Sequence, residues 1–529
     1  MTDTLFNNPD RRVVLRGAAL AGSAGLVLVA ARAAGFSGER LFTLGVASGD
    51  PTPDGMVLWT RLAPRPLEGD GGMPDRAVPV RWEIAEDQGF RRIAAHGTAI
   101  AEPRWGHSVH AEPRGLRPDR DYWYRFVANG EASPVARTRT APAFDQDVDR
   151  LRLCFGSCQK YEAGQYAAHR LIAAEMPDLV LFLGDYIYEN PPERDVRIHL
   201  NPEPVDVPGY RVRYATYKLD PLLQAAHHAA PWAVIWDDHE VANDYADALD
   251  EHNDDPATFL RRRAAAYQAY WEHLPLRAAQ QPHGSNAQLY RTLKWGRLAE
   301  FQLIDDRQYR SGHPCQPPEL LAQHRDYRTI VEDCAERHDP ARSILGMRQE
   351  AWLKQAFTES RARWNLLAQQ TLMADCPRLN PRQPDTGPDV YTVDNWGGYP
   401  ATRDRILRHW RDAKIANPVV MSGDIHAFAA ADMLDPDLRD GPPIAAEFVG
   451  GSLTSKNHDP LFKRSIARAA GFRFGENAVR GYAAATIDRN RCDVRFVGLD
   501  NPADPQSTAR TIADFVVAAG VPGIASSNI

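Results

Sequence analysis

The stretch WDDHEVANDY, residues 236–245, closes the apolar run PWAVI at 231–235 with aspartates, a histidine and a glutamate in succession. Burying such charges without partners costs several kcal/mol each, so the group needs counter-charges or a place at the end of a strand. Other apolar runs end the same way, at Ser157-Cys158, Gly184-Asp185, Asp305-Asp306 and Gly423-Asp424. A single Gly-Asp pair reads as the cap of a following helix. Recurrence at strand after strand reads instead as acids gathered on one edge, where cations must offset their mutual repulsion. A polynuclear metal site is the expectation.

The donor types narrow the choice of cation. In GDYIYE, Asp185 is followed three residues later by Tyr188, and a helical turn after the strand would bring both to one ion. A phenolate with the Cys158 thiolate close by is an unusual set for zinc or magnesium and favours a ferric ion, which stabilises anionic ligands strongly. Asp238, Asp424 and Asn243 offer hard oxygen, the preference of Ca2+, Mg2+ and Mn2+. His426, two residues after Asp424 in MSGDIHAF, is placed to reach the same centre.

An α/β architecture must position these groups. Apolar strands are expected at 151–158, 178–185, 232–238, 300–306, 364–373, 418–424 and 444–452, alternating with amphipathic helical stretches at 161–175 and 341–364. Strands interleaved with helices imply a sheet covered on both faces, whose carboxyl-terminal edge forms the site. Ahead of them, residues 40–145 read as an antiparallel, fibronectin-like β-sandwich domain, with short alternating runs broken by Gly, Pro and Asp. The stretch 150–529 reads as the catalytic domain, and ARTIADFVVAAG at 509–520 as an amphipathic helix that covers the site or packs on the core.

Residues 1–35 pair Arg11 and Arg12 with a mild apolar run rich in Ala, Gly and Val, a twin-arginine export signal. The run from Gly17 to Ala31 is too short and glycine-rich for a stable membrane span. The expected partner is thus the twin-arginine export machinery, and the expected location periplasmic or secreted. A buried helix or a retained anchor is the structural alternative. Six cysteines are few for a disulfide scaffold, although Cys315 and Cys334 flank a polar insertion and are placed to form one bridge. With Lys+Arg 62 against Asp+Glu 69 and no basic stretch, no nucleic-acid-binding footprint is present.

Taken with GVASGDP (45–51), FGSCQ (155–159), LIDDRQYR (303–310), LGMRQEAWL (345–353), LLAQQTLM (366–373) and DNWGGYP (394–400), these motifs resemble the PhoD family of alkaline phosphatases and phosphodiesterases. That family is a distant branch of the calcineurin-like metallophosphoesterases, so the resemblance implies a metallophosphoesterase-type layered α/β sandwich acting on a small phosphate ester. It further implies that Cys158, Asp185, Tyr188, Asp424 and His426 hold Fe3+, with Asp185 and Asp424 bridging to Ca2+. Asp238 and Asn243 are the further calcium ligands. The superfamily pattern is broken where Ser157-Cys158 replaces its first D-x-H, Asp238 the Asn of G-N-H-E, and Asp424 the first His of G-H-x-H. No clear counterpart exists for its separate histidine between the last two motifs.

His239 is then the expected contact to phosphate or the proton donor to the leaving group. Arg307 is expected to clamp phosphate, or only to pair with Asp305 or Asp306. Glu240 and Asp244 read as supports or caps with no direct role. Trp396 and Tyr399 form a wall of the pocket or pack in the core. Two other activities fit parts of the pattern: a phospholipase D-like phosphodiesterase, which needs an exposed apolar rim, and a non-enzymatic secreted calcium-binding module, in which Cys158 and Tyr188 have no purpose.

Overall fold

The computed structural model describes residues 40–252, 255–317, 328–438 and 441–529, and the export signal expected at 1–35 lies outside them. Two sheets stack face to face. The first is ten-stranded, and its middle is the parallel set Arg150–Gly156, Leu179–Leu183 and Trp232–Ile235. The second is seven-stranded, with Ala299–Leu303, Trp364–Ala368, Pro418–Ser422 and Pro443–Gly450 in parallel. Runs such as LVLFL and WAVI are apolar at every position because parallel strands are covered on both faces.

Successive side chains of the second sheet point to opposite layers, as the pleat requires. Leu366, Val419, Met421 and Phe448 enter the core shared with Leu153, Phe155 and Phe496 of the first sheet. Their neighbours Leu367, Val420 and Val449 face outward, onto Leu353 and Phe357 of helix Gly346–Glu359 and Ile406 and Trp410 of helix Pro400–Asp412. Helices Ala167–Glu175, Val207–Lys218, Pro221–Ala229 and Pro256–His273 add Tyr210, Tyr214, Leu223 and Tyr267 to the core of the first sheet. Three of these helices start from the same local code. Asp206, Asp220 and Asp255 accept backbone N–H groups of the first turn, and a proline follows within two residues. The result is an α/β fold, as the alternation of strands and helices implies, and the layered sandwich that the family resemblance implies.

The strands of the amino-terminal segment divide between two sheets. Val78–Ala85, Ile93–Ala101, Asp121–Ala128, Glu131–Ala132 and Ala136–Arg139 form a sheet of their own. Val46–Thr52, Gly55–Arg61 and Ser108–Ala111 continue the ten-stranded sheet, which they join where Gly49 pairs in parallel with Trp232. A Cβ on Gly49 would stand 2.5 Å from the Pro275 carbonyl oxygen, so only glycine lets that strand approach.

Several expected elements change. The run at 509–520 is the strand Ala509–Ala518, not a helix, and it pairs with Arg491–Leu499. Its period of two is explicit in the structure: Ala513, Phe515 and Val517 are buried and the residues between them half-buried. Phe515 packs its ring 5.1 Å from Phe496 and 5.6 Å from Phe448, so the segment is core and covers no site. The strand expected through Met373 ends at Ala368, and the helix expected over 161–175 starts at Ala167 after a short 3-10 turn. Cys315 and Cys334 do form a disulfide, with Cα atoms 6.1 Å apart.

Phe515→Ala should therefore lower stability by about 3–5 kcal/mol in denaturant unfolding. Asp514→Ala on the alternate face should cost under about 1 kcal/mol. Equal small effects would contradict the strand assignment.

Candidate metal centre

The ends of parallel strands from both sheets meet where Ser157 bridges to Ser452. Glycines make the approach possible. A Cβ on Gly184 (φ +103°) would lie 2.4 Å from Asp237 Cβ, and one on Gly423 would lie 2.3 Å from Ser157 Oγ. Cys158, Asp185, Asp424 and His426 all take left-handed backbone, at φ 60°, 56°, 65° and 52°. Such a conformation costs an L-residue about 1–2 kcal/mol, and it persists only where the surroundings over-determine it. No helix follows Asp185, contrary to the expected turn. Instead the buried Glu240 carboxylate accepts the N–H groups of Asp185 at 3.1 Å and Asp237 at 2.6 Å, and that of Tyr186 as well. Burial, reinforced by the Asp185 charge, pushes Glu240 up to about 8 despite those donors.

Two groups of donors result, joined where ligand atoms of Asp185, Asp238 and His239 lie within 4.8 Å of one another, and Asp424 falls with the second. In the first, the Tyr188 hydroxyl lies 2.7 Å from Asp185 Oδ2 and 2.9 Å from His426 Nε2, while Ser455 Oγ donates to it at 2.7 Å. Ligand atoms of Cys158, Asp185 and His426 lie within 4.8 Å of one another. Burial pushes both the Cys158 thiol and the Tyr188 phenol well up, and the Asp185 charge adds to each. Burial opposes ionisation of Asp185 too, but His239 and His426 hold it at about 2. Asp185 Oδ1 is buried without a hydrogen-bond partner. A buried thiol and phenol ionise here only with a cation beside them, so this donor set fits a metal ion.

The second group is made of carboxylates. Asp237, Asp238 and Asp424 present oxygens within 4.8 Å of one another, as do Asp238, Asp244 and Asp394. Asp237 Oδ2 and Asp238 Oδ1 have no hydrogen-bond partner. Burial and mutual repulsion push Asp237, Asp244 and Asp424 well up, although the charge of Arg307 opposes this. Asp394 goes the other way: against the cost of burial, Arg307 and Arg310 pull it far down. This acid-rich, oxygen-only set suits Ca2+ or another hard cation.

Arg307 has no exposed surface. Its Nη1 donates to Asp394 at 2.6 and 2.8 Å and its Nε to Asp237, while Nη2 lies 3.6 Å from Asp238 and 4.0 Å from Asp424. The guanidinium is an internal counter-charge at the centre of the acids, and in this arrangement it contacts no open space. The alternative of pairing with its neighbours holds only weakly, through its own N–H to Asp305 Oδ1 at 3.0 Å and Nε 3.7 Å from Asp306.

A cleft of about 1010 Å³ opens beside the first group, lined by Tyr188, His239, Asn243, His426 and Lys456 among others. His239 Nδ1 sits 2.7 Å from Glu189 Oε2, with its ring 4.1 Å from that of Tyr188. The Asn243 amide nitrogen is turned onto Glu251 Oε2 at 2.6 Å. Trp396 and Tyr399 are core residues: Trp396 Nε1 donates to Gln369 Oε1 at 3.0 Å, and the Tyr399 hydroxyl to the Ser311 carbonyl at 2.5 Å. In the sequence, Asp237 is legible as part of the strand-end cluster with Asp238 and His239, Asp244 only as a support or cap, and Asp394 and Glu189 carry no signal of a role. Asp394 opens the DNWGGYP motif beside more conspicuous aromatic residues.

Arg307→Met leaves Asp237 without its counter-charge and Asp394 with only Arg310 and His313 beside it. In chelator-treated protein it should cost about 3–5 kcal/mol by denaturant unfolding, and added Ca2+ should restore part of that loss.

Comparisons with known proteins place the chain in a family. The PhoD-like phosphatase family matches residues 153–496, and its N-terminal domain matches residues 29–142. Alkaline phosphatase D of Bacillus subtilis (strain 168) is 40% identical over 534 residues, covering 96% of this chain and 88% of that protein. A solved structure of PhoD superposes with a TM-score of 0.86 at 39% identity, over 93% of each chain. The chain belongs to the PhoD-like phosphatase family and is a phosphoric ester hydrolase.

Proposed function

We propose that the protein is a secreted alkaline phosphatase and phosphodiesterase whose centre takes Fe3+ and Ca2+. The observation that carries this reading is the convergence of a thiol, a phenol, an imidazole and carboxylates from distant segments on one point beside an open cleft. Cys158, Tyr188 and His426 would hold the ferric ion, with Asp185 and Asp424 shared between it and Ca2+. Asp238 is the further calcium ligand. Asn243 joins it if its amide turns from Glu251 to present oxygen.

Cations bound there would neutralise phosphoryl oxygens and acidify the attacking water. The protein's own part is positional. Glu240 ties the turns that carry Asp185 and Asp237, Arg307 keeps the acids from separating, and His239 faces the cleft where the ester oxygen would leave. A cleft of about 1010 Å³ has room for a substituent beyond the phosphoryl group, which supports diesters as well as monoesters. The lining mixes Lys160, Arg194 and Lys456 with Glu162, Glu193, Asp195 and Asp459, which favours a polar substituent, and the apolar rim that a phospholipase D-like enzyme needs has no support among these lining residues. Export by the twin-arginine route, with the metal loaded before transport, accords with Arg11-Arg12 and the apolar run after them.

The test compares hydrolysis of p-nitrophenyl phosphate and bis(p-nitrophenyl) phosphate by the metal-loaded enzyme and by Cys158→Ala and Tyr188→Phe. Both variants should lose iron by elemental analysis, and Tyr188→Phe the visible charge-transfer colour, with activity down by about 100-fold or more. Absence of turnover of either ester with Fe3+ and Ca2+ supplied would sink the proposal.

A further inference from the structure

We propose that the Cys315–Cys334 disulfide positions Asp394 among the acids, and that it makes the carboxylate side of the centre redox-sensitive. The inference rests on the calcium reading of that side and adds a control that neither the motifs nor the relatives assign. Ligand atoms of Asp394, Asp238 and Asp244 lie within 4.8 Å of one another. Asp394 nevertheless arrives from outside both large sheets, two residues after the short strand Val390–Thr392.

Two segments hold it in place. The first, from Arg307 to Cys315, supplies partners to its side chain. Arg307 Nη1 donates to the Asp394 carboxylate at 2.6 and 2.8 Å, Arg310 Nη1 donates to its Oδ1 and its main-chain carbonyl at 2.9 Å each, and His313 Nε2 lies 3.0 Å from Oδ1. The second, from Thr329 to Arg337, grips the backbone on both sides of Asp394. Ile330–Glu332 pairs antiparallel with Val390–Thr392, the Val393 N–H donates to the Thr329 carbonyl at 2.8 Å, and Arg337 Nε donates to the Gly397 carbonyl at 2.8 Å. Cys315 stands two residues after His313, and Cys334 two after Glu332. The bridge is therefore the covalent join between the segment that holds the carboxylate and the segment that holds its backbone.

The bonds beside the bridge are weaker ties. Cys315 N–H donates to Glu336 Oε2 at 2.8 Å, and the Gln316 side chain meets the Arg328 main chain at 2.9 and 2.8 Å. Glu336 and Arg328 are exposed, so water competes for these bonds. Both cysteines are half-buried and border an open cleft, where a small dithiol can reach the sulfurs. The dithiol gives up two electrons and two protons, the Sγ–Sγ bond breaks to two thiols, and the dithiol leaves as a cyclic disulfide; an oxidised dithiol reverses the step. With the bridge open the two segments shift independently, and the Asp394 oxygens lose their register with Asp238 and Asp244. Cation affinity depends on that register. Full affinity for Ca2+ is then reached only where the disulfide forms, in an oxidising compartment, which accords with the export proposed above.

The test titrates Ca2+ calorimetrically into iron-loaded protein that a calcium-selective chelator has stripped of Ca2+. It compares oxidised wild type, dithiol-reduced wild type, the Cys315→Ser, Cys334→Ser double variant, and Asp394→Asn in both redox states. Free thiols, iron content and melting temperature are recorded for each. Reduction should weaken Ca2+ binding by about 10-fold or more at unchanged iron content, and reoxidation should restore it. The serine pair should match the reduced wild type and show no further response to the dithiol, which separates the bridge from any action on iron. If the serine pair does not fold, reduction and reoxidation of the wild type decide. In Asp394→Asn, reduction should change the affinity by less than about twofold. A bridge that only stabilised the fold would lower the melting temperature in every background and leave Ca2+ affinity alone.

Equal Ca2+ affinity in oxidised and reduced wild type, or a dithiol effect that persists in the serine pair or in Asp394→Asn, would overturn the assignment. If the oxidised wild type took up no Ca2+, the calcium reading of the centre would fall and this inference with it.

Discussion

Carboxylates that are packed together out of water cannot all stay charged unless cations stand among them, and the structure is arranged around that constraint. Asp185, Asp237, Asp238 and Asp424 converge at the carboxyl ends of strands from both sheets, with Asp244 and the loop residue Asp394 beside them. Arg307 at their centre, reinforced at Asp394 by Arg310, supplies less positive charge than these acids carry. At the low effective dielectric of a buried site, the remaining repulsion is resolved by protons or by metal ions. The upward displacement of Asp237, Asp244 and Asp424 is the proton answer, and the orphaned oxygens of Asp185, Asp237 and Asp238 are where the metal answer fits.

The backbone bears the cost of the convergence. Gly184 and Gly423 allow strand ends to approach closer than any Cβ permits, and the left-handed residues turn their side chains inward immediately afterwards. Strain of that kind survives because it is tied from several directions. Glu240 collects four N–H groups from two different turns, and the Cys158 carbonyl accepts from Ser452 and Ser455 at 3.0 Å each. A ligand presented in this way does not need the cation to find its position, which is the condition for a preorganised centre.

Much of the site was legible because its chemistry is written in residue types at strand ends. Cys158, Asp185, Tyr188, Asp238, Asp424 and His426 stand out as donors wherever an apolar run stops, and the structure brings them together. Arg307 was visible as a cation beside acids, but its direction was not. A guanidinium in a loop has no periodicity to say whether it faces solvent or the acids behind it, and total burial decided for the acids. Asp394 and Glu189 stayed hidden for a related reason. One sits in a loop remote in sequence from its partners and the other beside a more conspicuous tyrosine, and neither shares a motif with the group it serves.

The sequence by itself determined the α/β class, the alternating strands of the amino-terminal segment and most of the donor set, because each depends on local periodicity or on the chemistry of single residues. The tertiary structure alone decided that Val46–Thr52 joins the large sheet, that Ala509–Ala518 is a core strand, and that Arg307 is an internal counter-charge. Those outcomes rest on pairing and burial between whole segments, from the neighbouring strand Arg491–Leu499 to the distant Trp232. Alternation over a short run is compatible with more than one partner, and only the assembled core selects among them.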